Sequence, residues 1–179
     1  KAQGQTVGTA YTANPLVAGV ISATSPICSG STSTISVTTA PQGATFQWQR
    51  STASDFSTGI TNLGSALTTA PTTFTTSALT STTYFRLLVT SAGGCTKVSN
   101  IVTVTVNAIP VIPNIVTTSP TCTANGTATI ENYDSTYNYT FSPTGPTVGS
   151  GGVISGYSYS TAYTVTATLN GCTSSASSP

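Results

Sequence analysis

The sequence predicts an all-β chain made of two tandem β-sandwich domains. Three observations carry that expectation. Apolar and polar side chains alternate with a period of two, and short runs rich in Val, Ile, Thr and Tyr are separated by Gly, Pro and Asn turn signals. A set of markers also occurs twice in the same order.

The repeat sets the architecture. Ser25-Pro26-Ile27-Cys28 recurs 94 residues later as Ser119-Pro120-Thr121-Cys122, and each copy follows an apolar connector bearing proline, Asn14-Pro15-Leu16-Val17 or Ile109-Pro110-Val111-Ile112. Gly30 and Gly126 come next, then Ser81-Thr82-Thr83-Tyr84 matches Ser160-Thr161-Ala162-Tyr163, and Gly94-Cys95-Thr96 matches Gly171-Cys172-Thr173. The expected boundaries are 1–14 for the trailing strand of a preceding repeat or a linker, 15–107 for the first domain, and 108–179 for a shorter second domain with an incomplete final strand.

The elements follow in order. Thr34-Ile35-Ser36-Val37-Thr38 is the first strand-like run after Cys28, and Thr127-Ala128-Thr129-Ile130 its counterpart. Thr45 to Arg50 places Phe46 and Trp48 on one face and Gln47 and Gln49 on the other, as a half-buried strand requires; Tyr137, Tyr139 and Phe141 do the same in the second copy. Trp48 lies 20 residues after Cys28 and Phe141 lies 19 after Cys122, which assigns both to one structural position. Tyr84 to Val89 and Tyr163 to Leu169 read as strands that enter the turns Ala92-Gly93-Gly94 and Asn170-Gly171. Ile101 to Val106 reads as the last strand of the first copy. Short strands, intervening turns and an inward aromatic on the third strand point to immunoglobulin-like sandwiches whose core aromatics are Trp48, Phe141, Tyr84 and Tyr163.

Only 4% of the residues are charged, against a usual share of about 25%. The whole supply is Lys1, Arg50, Asp55, Arg86, Lys97, Glu131 and Asp134, with no His, so acid–base, metal and phosphoryl chemistry lack their usual side chains and no enzyme is expected. A net charge of +1 without a basic cluster argues against nucleic-acid binding. No apolar run approaches the ~20 residues that span a bilayer, so no membrane insertion is expected. No signal-peptide pattern opens the chain; any such segment is expected to have been removed or to lie upstream. The 40 Thr and 25 Ser suggest a mucin-like stalk, but the 37% hydrophobic content and the strand pattern favour a folded chain.

Four Cys without His or a C-x-x-C spacing read as structural disulfides of an oxidising compartment. Cys95 lies 11 residues after Tyr84 and Cys172 lies 9 after Tyr163, past the turns, so a bridge from either would staple one pole of a sandwich. Of the three connectivities, Cys28–Cys95 with Cys122–Cys172 gives both copies the same internal bridge and is the one expected.

Pro26-Ile27-Cys28-Ser29-Gly30, Phe46-Gln47-Trp48-Gln49, Leu79 to Arg86 and Ser99 to Val104 resemble the Ig-like repeats of large secreted surface proteins of Bacteroidetes, including gliding-motility adhesins exported by the type IX system. The resemblance covers residues 15 to 106 closely and 110 to 179 loosely. It implies an exported, cell-surface protein of many repeats. Tandem sandwiches joined by short Pro-bearing linkers are expected to act, beside neighbouring repeats, as a load-carrying spacer of an adhesin or filament.

Tyr133, Tyr137, Tyr139, Tyr157, Tyr159 and Tyr163 are a local enrichment that reads either as core and cross-strand pairs or as a platform for a surface polysaccharide. Tyr133 and Tyr157, beside turn residues, are the exposed members expected to contact a glycan. Asp134-Ser135-Thr136 resembles the O-glycosylation acceptor of that phylum, with Ser135 as the acceptor, and is also ordinary turn chemistry. Glu131 and Asp134 are too few for a Ca²⁺ site, which takes 6–8 oxygen ligands, and no metal or other cofactor is expected. Arg50 and Arg86 are expected to pair with Asp55. Val7 to Thr12 reads as a final strand without a domain of its own, which suggests either a longer array or strand exchange between molecules.

Overall fold

The structure, a computed structural model, describes residues 16–179. The strand expected at Val7 to Thr12 and the rest of segment 1–14 lie outside the described residues. Those described are all-β, with one 3-10 turn at Ser150–Gly152 and no α-helix. In chain order the strands are β1 Val20–Ala23, β2 Ile27–Cys28, β3 Thr34–Thr39, β4 Thr45–Ser51, β5 Thr61–Leu67, β6 Thr73–Thr75, β7 Thr83–Thr90, β8 Thr96–Val98, β9 Val102–Val104 and β10 Val106–Asn107. They continue with β11 Ile115–Thr118, β12 Thr127–Ile130, β13 Asn138–Ser142, β14 Thr147–Val148, β15 Val153–Ser155, β16 Thr164–Leu169 and β17 Cys172–Thr173.

The chain forms two compact units. The first takes residues 16–23, 34–75 and 83–103; the second takes 24–33, 76–82 and 104–179.

In the first unit, antiparallel β1, β3 and β6 make one sheet, and β5, β4, β7 and β8 make another, with β9 also paired to β7. Strand β7 alternates strictly: Thr83, Phe85, Leu87 and Val89 are buried and their neighbours half-buried. Trp48 of β4 faces Leu87 across the ladder and stacks on Phe74 of β6, with ring centroids 5.3 Å apart, so the two sheets share a core. Alternation on β4 breaks at Gln49, which is buried because its amide is satisfied: Oε1 accepts from Arg86 Nε at 2.9 Å, and Nε2 donates to Asn62 at 2.9 Å.

The second unit contains the parallel pair β2 and β10, a four-stranded sheet β11-β12-β15-β14 and a three-stranded sheet β13-β16-β17. Ala128, Ile130 and Ile154 of the larger sheet meet Phe141 and Val165 of the smaller one in a single core. The β16–β17 turn is the tight two-residue hairpin that Asn170-Gly171 predicts, with φ of +49° and +80°.

Two expectations are corrected here. The core aromatic of β7 is Phe85, whereas Tyr84 is half-buried on the other side of the strand. Phe85 precedes Leu87 by two residues, just as Tyr163 precedes Val165, and Tyr163 does pack against its core. The other correction concerns the last strand of the first copy, which is broken at Thr105. Its second piece, β10, pairs with β2 because Ile27 N donates to Thr105 O and Ser29 N to Asn107 O, both at 2.9 Å.

Candidate functional site

The pairing of β2 with β10 places Cys28 beside Asn107, and Asn107 Nδ2 donates to Asn170 O at 3.1 Å in the β16–β17 turn. That contact brings Cys28 to the first residue of β17, and a disulfide joins Cys28 to Cys172 across a Cα separation of 5.6 Å. Cys95 and Cys122 are exposed free thiols. The expected pairs Cys28–Cys95 and Cys122–Cys172 are therefore replaced by one bridge, and the cause is tertiary. The ladder that holds Cys28 is made with residues 106–107, which no local pattern near Cys28 announces.

Above the core of the second unit lies an open groove of about 600 Å³. Strand β11, its flanking prolines Pro113 and Pro120, and the segment 157–163 form its walls. Tyr157 and Tyr159 meet edge to face at 5.6 Å between centroids, and Tyr157 donates its hydroxyl to Gly126 O at 3.1 Å. Tyr163 accepts from Ser158 N at 3.3 Å, which pins the loop carrying Tyr159. Tyr159 itself is 74% exposed. Partial burial of the Tyr157 ring, with Tyr159 beside it, raises its phenol above the usual value of 10.0, so at neutral pH it is a hydrogen-bond donor. No charged side chain lines the groove. The arrangement offers stacking faces and hydroxyls, a chemistry suited to a neutral, hydroxyl-bearing ligand.

The two tyrosines expected to hold a glycan separate. Tyr157 lines the groove, but Tyr133 is not among its walls; it packs against the core and stacks on Tyr139 at 5.6 Å. Both rings are half-buried, so neither is the freely exposed member expected. Gly152, at a φ of +80°, packs so closely against Tyr133 that an added Cβ would lie 2.7 Å from Tyr133 Cβ. The residue that the sequence left undistinguished is Tyr159, and its position between Ser158 and Ser160 is the turn signal that would have marked it as exposed.

Asp134-Ser135-Thr136 forms an Asx turn. Asp134 Oδ1 accepts from Thr136 N at 2.8 Å and from its hydroxyl at 2.7 Å, and these bonds hold the carboxyl below its usual 3.8. Ser135 is exposed at the tip of this turn. Glu131 accepts from Asn114 Nδ2, and among the described residues no three His, Cys, Asp or Glu come together. Arg86 does not need the expected Asp55: it bonds Gln49 and lies 4.3 Å over the Phe56 ring, while Asp55 accepts from Ser57 N. Among the described residues no helix is long and apolar enough to cross a membrane.

Residues 17–108 match the family described as a domain of unknown function, DUF8696. No curated protein matches the chain.

Proposed function

The chain belongs to the DUF8696 family, and we propose that it serves as a non-catalytic spacer in the stalk of an extracellular bacterial surface adhesin or filament, with each copy of the repeat an immunoglobulin-like β-sandwich. The observation that carries this reading is the Cys28–Cys172 bridge, which closes a loop by joining residues 144 positions apart in sequence. Tension applied from outside the loop passes through one covalent bond and bypasses most of both units. A structural disulfide belongs to an oxidising compartment, in keeping with a secreted, cell-surface protein. The shortage of catalytic side chains and the resemblance to Bacteroidetes surface repeats, including those of gliding motility and type IX export, support the same setting.

The groove favours a second reading, a carbohydrate-binding module for a neutral surface polysaccharide. In it Tyr157 and Tyr159 stack on sugar rings and the groove hydroxyls bond them; Ser135, on its exposed turn, is a candidate for O-glycosylation. A glycan array probed with the whole chain separates the readings. The spacer reading expects no retained glycan. Binding lost in both Tyr157→Ala and Tyr159→Ala would establish the module in its place.

A further inference from the structure

We propose that Cys122 of one chain forms a disulfide with Cys95 of a second copy, joining the chains head to tail. The repeat contains two kinds of cysteine. Cys28 and Cys122 are entry cysteines that follow Ser-Pro-x, and Cys95 and Cys172 are hairpin cysteines within Gly-Cys-Thr. The Cys28–Cys172 bridge joins the entry cysteine of the first copy to the hairpin cysteine of the copy that follows it. One cysteine of each kind is left over, and both are exposed thiols.

The bridge already formed supplies the pairing rule for these two. Applied to Cys122, the rule calls for the hairpin cysteine of a further copy; applied to Cys95, it calls for the entry cysteine of an earlier one. A second chain provides both. The two turns share a left-handed glycine before the hairpin cysteine, with φ of +84° at Gly94 and +80° at Gly171, and each joins two antiparallel strands; Cys172 is buried as the first residue of β17, whereas Cys95 is exposed within its turn and open to a second chain. Beside the existing bridge the Asn107 side chain donates to Asn170 O, so a hydrogen bond accompanies the covalent link there.

The oxidant is a small-molecule disulfide such as glutathione disulfide. The Cys122 thiolate attacks one of its sulfurs, the S–S bond breaks and one glutathione thiolate leaves. The Cys95 thiolate of the second chain then attacks the Cys122 sulfur and releases the second glutathione. Two protein thiols are oxidised, glutathione disulfide is reduced to two thiols, and the two protons pass to the departing thiolates. This proposal rests on the repeat and the observed bridge, and it stands apart from the spacer reading.

Incubating the purified chain with glutathione disulfide, followed by non-reducing electrophoresis and peptide mapping, tests it. The wild-type chain is expected to give dimers, trimers and longer species linked Cys122 to Cys95. Cys95→Ser alone and Cys122→Ser alone are expected to lose all linked species, and a mixture of the two to give dimers and nothing longer. Both substitutions are at exposed positions, and an unchanged Cys28–Cys172 peptide verifies that each variant has folded. Homodimers from either variant alone, or a Cys95–Cys122 link within one chain, would overturn the proposal.

Discussion

Leu87 and Ser99 exchange two hydrogen bonds: Leu87 N donates to Ser99 Oγ at 2.9 Å, and Ser99 N donates to Leu87 O at 2.9 Å. Val165 and Ser177, also twelve residues apart, make the same exchange at 3.0 and 2.9 Å. Leu87 faces Trp48 and Val165 faces Phe141, so each serine braces a strand residue that lies opposite a buried aromatic. Each serine hydroxyl stands in for the backbone of a strand partner where a regular ladder is lacking. Ser99 and Ser177 are only 7% exposed, which makes an unmet amide there costly.

Ser99→Ala and Ser177→Ala are therefore expected to destabilise by about 1–3 kcal/mol each, the cost of a buried donor left without its acceptor. Ser175→Ala, at an exposed side chain, should stay within about 0.5 kcal/mol of wild type. Urea unfolding of the three variants checks both statements.

Trp48→Ala and Phe141→Ala should each cost about 3–5 kcal/mol, as for other buried large aromatics. Phe85→Ala should cost much more than Tyr84→Ala, because Phe85 is 1% exposed and Tyr84 half-buried. Equal losses at 84 and 85 would contradict the register given for β7.

Gly152→Ala should disturb the second unit. The new Cβ would meet Ile130 O at 2.6 Å and Tyr133 Cβ at 2.7 Å, at a φ of +80° that alanine adopts reluctantly. A loss of about 1–3 kcal/mol is expected from overpacking and strain, read by thermal unfolding.

The Asp134 carboxyl should titrate below 3.8 by NMR, because Thr136 donates twice to its charged form. With the folded value depressed, its contribution to stability is present above 3.8 and is lost as pH falls through the folded value. Thr136→Ala should move the Asp134 midpoint up towards 3.8.

The sequence was legible where alternation and turn chemistry act locally. The run Thr127 to Ile130 has the bounds of β12, and Asn170-Gly171 forms the turn its residues require. Strand β5 leaves no signal in the sequence, because almost every residue of Thr61–Leu67 is exposed and no apolar face marks it. The phase of β7 is ambiguous in the sequence because Tyr84 and Phe85 are adjacent aromatics, and the deciding neighbour, the buried Thr83, is polar. Of the site, Tyr157 was found by composition, but the groove around it is built by segments distant in sequence. The disulfide escaped for the same reason, since repeat symmetry alone favours bridges inside each copy.

Stretching single chains between their termini, with and without reductant, tests the spacer account most directly. In the oxidised chain only residues outside 28–172 should extend, whatever force unfolds the units. Reduction should release the chain between the cysteines, a sequence separation of 144, about 50 nm at roughly 3.3–3.6 Å per residue. An oxidised chain that yields this full length, or a reduced chain that gains none of it, would contradict the claim that one covalent clamp carries tension past both units.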